Sequence, residues 1–356
     1  MNENILKDEL GFNEDGLKEM KNKKPDYASA IKLRNKSWEQ NKYIPKWVKI
    51  NEVDLDHFCT RPDIAKICWE KFLKYLKKEK VNLSNYTFIE PSAGLGAFYN
   101  LLPKNRRIGI DVVKENSEYI QHDFLSWTPK DKDKKYITVG NPPFGYRGWL
   151  ALAFLNHAGL FSDYIAFIVP MAFQSNGKSN VKDRVKNFHL VHQSNLPADI
   201  FVDVEGRTVK VNSLFQIWKK GKVSKKKEKT CNEYIDLFTV DMRKERKCGH
   251  RRLHEADFFL QRTFYTNPPK LVKSFDEVKY VCGYGIVLKK DRKKVLDVLN
   301  KTDWREFNNL ASHNAKHISM EHIRKALINA GFVDKVKEKQ NVLSKYTRNK
   351  SRSTAN

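Results

Sequence analysis

Two textures of apolar and polar positions succeed one another along this chain, and each change of texture marks a boundary. Residues 1–45 are rich in charge, with KNKKP at 21–25 and sparse apolar positions, which predicts an irregular arm or loosely packed helices of unreadable role. From about Asp56 the pattern turns helical. In residues 57–80, Ile64, Ile67, Cys68, Phe72 and Leu76 fall near a 3.6-residue period with lysines opposite, so an amphipathic helix is expected after Pro62.

Between 86 and 220, short apolar runs alternate with helical stretches. Residues 86–91, 107–113, 136–143 and 163–170 read as buried strands; helical patterns follow Gly96, run from Arg147 to Leu160 and recur near Ser179 to Asn187. This repetition predicts an α/β fold, a doubly wound parallel sheet covered on both faces. Two further strands are expected at 188–196 and 211–219, the second suited to a late antiparallel hairpin. The run KKGKVSKKKEK at 219–229 sets seven lysines against one glutamate, so a linker is placed at 221–229, closing a first globular part at 46–220. Residues 230–333 read as a second, smaller α+β domain, with strands at 234–240 and 278–288 and helices at 271–278 and 320–332. Residues 334–356 read as a basic disordered tail.

Charge changes the picture. Lys plus Arg number 67 against 42 Asp plus Glu, a formal +25 over 356 residues, which suits a polyanion better than a small neutral substrate. At 40% apolar and 12% aromatic residues the chain can still build full cores. The first ten residues lack the basic start and apolar centre of a secretory signal, and the longest apolar run, 164–173, is too short for a membrane helix. Five cysteines at irregular spacing imply reduced thiols. A soluble, cytoplasmic chain without membrane association is the expectation.

Three short segments carry candidate chemistry. Glu90-Pro91-Ser92-Ala93-Gly94-Leu95-Gly96 follows an apolar run, and glycines in a strand-to-helix turn let backbone approach a ligand closely. Asp111 ends the next strand 21 positions after Glu90, a spacing that suits an acceptor for ribose hydroxyls. Asp123, with Phe124 beside it, could accept from an adenine amino group while the ring covers the base. Asn141-Pro142-Pro143-Phe144 follows a fourth strand. Two prolines stiffen the backbone and remove two N–H donors, leaving carbonyl oxygens and the Asn141 side chain as acceptors for a planar amine, with Phe144 to stack on its ring.

In this order the segments resemble the S-adenosylmethionine-dependent amino-methyltransferases, above all the adenine-N6 DNA methyltransferases with a target-recognition region after the catalytic domain. The resemblance covers about 55–220. It implies a seven-stranded doubly wound sheet with a late antiparallel strand and S-adenosylmethionine as cofactor. In such enzymes a segment like FCTRPDIAKIC packs over the methionine end, so Thr60, Arg61 and Pro62 become candidate contacts. Glu90 to Gly96 would hold the methionine and sulfonium side, Asp111 the ribose, Asp123 and Phe124 the adenine, and Asn141 to Phe144 the target amine. The Glu90-Pro91-Ser92-Ala93 stretch departs from the commoner double-glycine form, which bears on the methionine contacts.

The resemblance leaves the substrate open among DNA, RNA and protein amines. The net charge selects nucleic acid, and a separate domain after the catalytic one tilts the choice to DNA, with a cognate restriction endonuclease as a partner. Within 242–265, Arg243, Arg246, Arg251, Arg252 and Arg262 are interleaved with aromatics and are candidates for phosphate or guanine contacts. An RNA adenine-N6 methyltransferase and a non-catalytic nucleic-acid-binding subunit of the same fold are the alternatives. No metal is expected, because Cys248, His250 and His254 lack a paired ligand set.

Overall fold

The computed structural model describes residues 26–55, 58–174, 180–203, 206–221, 229–243, 248–310 and 315–335. Most of the Lys-rich run, Arg246 and nearly all of the basic tail lie outside them. The chain divides into two compact units. The first takes residues up to 226 together with 262–268 and 304–321; the second takes 227–261, 269–303 and 322 onward.

Seven strands of the first unit form one sheet: β1 (Tyr86–Glu90), β2 (Arg107–Asp111), β3 (Ile120–Gln121), β4 (Lys135–Gly140), β5 (Ser162–Pro170), β6 (Phe188–Asn195) and β7 (Ser213–Lys220). Their order is β3-β2-β1-β4-β5-β7-β6. β1 to β5 pair in parallel, whereas β7 runs antiparallel to both β5 and β6. This is the doubly wound Rossmann-like sheet with a late antiparallel strand that the resemblance implied. The strand order reverses between β1 and β4, which leaves a crevice beyond their carboxyl ends.

The central strands β1, β4, β5 and β7 lack an exposed polar face because both faces are covered. Along β5, Tyr164, Ala166 and Ile168 point into one core, where Phe88, Ile137, Phe215 and α2 (Pro62–Lys78) meet them. Ile165, Phe167 and Val169 point into the other, with Ile89, Tyr136, Leu214 and α3 (Trp149–Ala158). Pro62 sits in the first turn of α2, where its missing N–H costs nothing. Ile64, Cys68, Phe72 and Leu76 are buried as the period required, but Ile67 points outward at 44% exposure, its place in the buried stripe taken by Ala65 and Trp69.

Several expected elements take other forms. The arm contains α1 (Tyr27–Trp38), a regular helix capped by the Asp26 side chain on Ser29 N. The helix expected after Gly96 is reduced to 3-10 turns at Tyr99–Leu101 and Lys104–Arg106, since ten residues after Gly96 leave no room for a full crossover helix. The described part of 179–187 holds only a 3-10 turn, Lys182–Arg184. Short strands add two small sheets: Cys59–Thr60 pairs with Phe201–Val202, which pairs with Thr208–Val209, and Lys316–His317 bridges Thr263–Phe264 and Asn309–Leu310.

The second unit is α+β. Its antiparallel sheet has the order β8 (Ile235–Asp241), β10 (Cys282–Leu288), β9 (Phe258–Gln261). The helix expected at 271–278 is a 3-10 turn, Phe275–Glu277, closed by a Ser274/Glu277 capping box. A helix that sequence reading missed, α4 (Arg292–Lys301), buries Val295 and Leu299, and α5 (Met320–Asn329) follows the expected pattern. Asp334 ties the end of this unit to its start by accepting from Asn232 N and Glu233 N, both at 2.8 Å. No helix among the described residues is long and apolar enough to cross a membrane.

Candidate active site

At the carboxyl ends of β1, β2 and β4 the first unit encloses a cavity of about 540 Å³. Glu90, Asp111 and Asn141 reach it from the ends of those strands, and Asp123 and Phe124 from the turn after β3. Pro91, Ser92, Ala93 and Gly94 line it from the loop after β1, and Pro142, Pro143 and Phe144 from the loop after β4. Thr60 lines it from its short strand. Pro62 and Gly96 are not among the lining residues, and Arg61 pairs with Asp63 and Asp199.

The Gly loop is held by an acid on the neighbouring strand. Asp111 accepts from Gly94 N at 2.8 Å and from Val113 N at 2.9 Å, one on each carboxylate oxygen. Each oxygen keeps a second lone pair for a hydroxyl donor. Burial raises the Asp111 pKa, while the Val113 and Gly94 N–H groups oppose the rise. Gly94 has φ +45, and a side chain there would meet nothing within 4 Å, so the loop leaves open space on its cavity side. Gly96, at φ +83, supports the turn from behind: a side chain there would run into Tyr119 and Asn100.

Three oxygens of the cavity walls are buried and have no hydrogen-bond partner: Thr60 Oγ1, Glu90 Oε2 and Asn141 Oδ1. Buried polar atoms are nearly always satisfied, so three such atoms on residues of one cavity wall set this region apart. Glu90 is 2% exposed, and burial raises its pKa well above the ordinary carboxylate value, with Asp111 adding to the rise. For Asn141 the amide orientation follows from its neighbour. Nδ2 donates to the Phe58 carbonyl at 3.2 Å, and because that oxygen can only accept, Oδ1 must be the free end. The backbone carbonyl of Asn141 is held by the Ser92 hydroxyl at 2.9 Å, fixing the residue to the Gly loop.

The loop beyond β4 is rigid. Leu150 N and Ala151 N both donate to the Phe144 carbonyl, so the start of α3 grips the loop. Gly145 has φ +62, and a side chain there would collide with Trp149 and Leu150. The Phe144 ring packs edge-on against Phe201 at 5.9 Å. Phe124 is 1% exposed and is boxed by Phe154 at 5.2 Å and His157 at 5.0 Å.

The N-terminal arm supplies a wall that sequence reading did not assign. Tyr27, Arg34 and Trp38 of α1 line the cavity, as do Asp54, Leu55 and Phe58. The Ser37 hydroxyl donates to Asp123, Leu125 N adds a second bond, and Asn41 Nδ2 reaches Leu125 O at 2.9 Å. Burial raises the Asp123 pKa, opposed by the Ser37 and Leu125 bonds. Arg34 stacks on Trp38 at 4.7 Å and donates to the Val53 and Asp54 carbonyls, so it ties the helix to the following strap. The signal was the four-residue spacing of Ala30, Arg34 and Trp38, all buried, which the charge of Arg34 concealed. Glu115, His122, Leu150 and Phe154 were likewise unassigned. Arg34→Ala should loosen this wall and weaken binding of a cavity ligand roughly tenfold, the loss of a charge-assisted hydrogen bond or two, while far-ultraviolet circular dichroism of the sheet is unchanged.

The five candidate arginines meet different fates. Arg243 is paired with Asp241 through Nε at 2.9 Å, and Arg252 with Asp236 at 2.8 Å and Glu255 at 2.7 Å, with its guanidinium 4.5 Å from the Phe238 ring. Arg251 is exposed, Arg262 is half-buried, and Arg246 lies outside the described residues.

No protein-family model matches the chain, and no curated protein matches it. Similar solved structures include a protein of Pyrococcus horikoshii described as an RNA methyltransferase, 18% identical with a TM-score of 0.34, over 55% of this chain and 97% of that one. Magnesium protoporphyrin IX methyltransferase of Synechocystis, with bound S-adenosylmethionine, is 11% identical with a TM-score of 0.34, over 59% of this chain and 99% of that one. The type IIG restriction endonuclease BpuSI is 13% identical with a TM-score of 0.32, over 70% of this chain and 32% of that one.

Proposed function

We propose that this chain transfers a methyl group from S-adenosylmethionine to N6 of an adenine swung out of a DNA strand. The observation that carries the reading is a single cavity lined by Glu90, Asp111 and an Asn-Pro-Pro-Phe loop, with partnerless buried oxygens on Thr60, Glu90 and Asn141 of its walls. The walls fit the cofactor. Glu90 and Thr60 would take its ammonium and carboxylate end beside the Gly94 backbone, Asp111 its ribose hydroxyls, and Asp123 and Phe124 its adenine. Bound there, S-adenosylmethionine supplies a methyl group activated by its sulfonium centre.

The protein's own part is positioning. Asn141 Oδ1 and the Pro142 carbonyl accept the two hydrogens of a planar amine, which leaves the nitrogen lone pair uncommitted and fixes its direction. Phe144 gives the base a ring to lie against. No group in the loop is a strong base, and none is needed: once the methyl group has left the sulfonium as a neutral thioether, the methylated nitrogen is acidic enough to give its proton to water. A formal charge of +25 supports a nucleic-acid substrate, and the second α+β unit supports DNA with sequence recognition. In that setting a cognate restriction endonuclease is the expected partner.

The test is incubation of the protein with methyl-labelled cofactor and, separately, unmethylated plasmid DNA and total RNA. Label recovered as N6-methyladenine in DNA supports the reading; label in RNA alone moves the substrate to RNA. Label in neither, with the cofactor bound, leaves the non-catalytic subunit. Asp111→Ala should weaken cofactor binding roughly tenfold by removing the ribose acceptor and untethering Gly94, measured by calorimetry. An unchanged dissociation constant would remove Asp111 from that role.

A further inference from the structure

Large aromatic side chains are seldom left in water, yet Trp47 is 60% exposed and Tyr146 66%. The two meet: their rings lie 6.4 Å apart at 83°. The Arg147 guanidinium sits 4.9 Å from the Tyr146 ring. Behind them the buried Trp149 packs edge-on against Trp47 at 6.2 Å and against Trp38, a wall of the cavity, at 5.6 Å. An unbroken aromatic array thus leads from the cavity wall to solvent.

The array is built rather than incidental. Tyr146 stands two residues beyond Phe144 in a turn where Gly145, Arg147 and Gly148 all have positive φ. A left-handed conformation is uncommon for arginine and persists only where its surroundings enforce it. Next to it, Gly145 admits no side chain, because Trp149 and Leu150 fill the space one would need. The turn thus holds an exposed ring and an exposed cation together just beyond the Asn-Pro-Pro-Phe loop. Lys46 beside Trp47 is also exposed, so the surface is cationic as well as aromatic.

We propose that Trp47, Tyr146 and Arg147 form a stacking ledge for the nucleobase next to the target adenine. The inference rests on the function proposed above. Swinging a base out of its stack leaves its neighbour without a partner on one face. Aromatic rings replace that partner for any base, since every base has a π-face, and an arginine on the ring adds attraction to the adjoining phosphate.

The test measures KM and kcat on unmethylated plasmid DNA, with total RNA in parallel, and cofactor affinity by calorimetry. Trp47→Ala and Tyr146→Ala should each raise KM for nucleic acid roughly tenfold, as loss of one base–aromatic stack does, with cofactor affinity unchanged. Trp47→Phe and Tyr146→Phe should restore it. The same pattern on RNA would support the ledge with RNA as the strand. Alanine variants that keep the wild-type KM while the wild-type enzyme labels DNA overturn the ledge and leave the function standing. So does a rise in KM that the phenylalanine variants fail to reverse, or one matched by lost cofactor affinity. A wild-type protein that binds cofactor but labels no nucleic acid overturns both.

Discussion

Asn141→Ala should lower methyl transfer about 100-fold or more and leave cofactor affinity within about a factor of two, because a preorganised polar group that acts only on the reacting centre contributes on that scale. The geometry separates the two effects. Asn141 Oδ1 is buried without a partner, whereas its Nδ2 is spent on the Phe58 carbonyl at 3.2 Å and its backbone carbonyl on Ser92. Alanine removes the side-chain acceptor proposed for the target amine, keeps the Pro142 carbonyl, and leaves the Ser92 bond, and with it the Gly loop, in place. Asn141→Asp makes a sharper probe. It keeps an acceptor toward the amine but sets a carboxylate oxygen against the Phe58 carbonyl, where two acceptors repel. Turnover of that variant should fall between wild type and Asn141→Ala. Single-turnover rates with saturating cofactor would decide, and an alanine variant with wild-type rates would end the assignment of the loop to the target.

What could be read from the residues divides along physical lines. The buried strands were legible because β-branched and aromatic runs such as 136–139 and 164–169 have no other economical use, and the tips of those strands carried Glu90, Asp111 and Asn141 to one crevice. Strand order was not legible in the residues; the resemblance, not the spacing, implied a sheet that sets the Gly loop beside the Asn-Pro-Pro-Phe loop. Nor was the roof legible. The core face of α1 is made by Ala30, Arg34 and Trp38, and an arginine whose charge is absorbed by the Val53 and Asp54 carbonyls looks, in sequence, like one more solvated charge. Helices were overestimated after Gly96 and at 271–278, where helical spacing persists for too few residues to stabilise more than a 3-10 turn. The arginines show what a charge count leaves out. Arg243 and Arg252 sit in a basic, aromatic run, yet carboxylates on β8 and the turn beside it take up their donors, a pairing of residues 2 to 16 positions apart that no charge count reveals.

Glu90→Gln should stabilise the ligand-free protein at neutral pH and weaken cofactor binding about 100-fold, two opposite effects from one atom. Burial is the first cause of the raised Glu90 pKa, the nearby Asp111 charge also raises it, and the Tyr99 N–H opposes both. A carboxyl in the unfolded chain titrates near its ordinary value of about 4.3, so between that value and the higher folded one the native state holds a proton that the unfolded state has released. The Glu90 contribution to stability is therefore full below the unfolded pKa and is lost as pH rises through the folded pKa. Glutamine, which does not titrate, imitates the protonated acid. The melting temperatures of wild type and Glu90→Gln should nearly coincide at about pH 4.5 and separate as pH increases, with the variant the more stable. A cofactor ammonium group reverses the preference, because a cation beside Oε2 favours the ionised carboxylate. Binding then expels a proton, and wild-type affinity should climb with pH until the ligand-free pKa is passed. Glutamine loses that slope together with the roughly 2–3 kcal/mol that a buried charge partner supplies. Calorimetry in two buffers of different ionisation enthalpy counts the proton directly. A Glu90→Gln variant that keeps both the affinity and its pH slope would assign the ammonium to another group and leave the partnerless oxygen of Glu90 to some other donor.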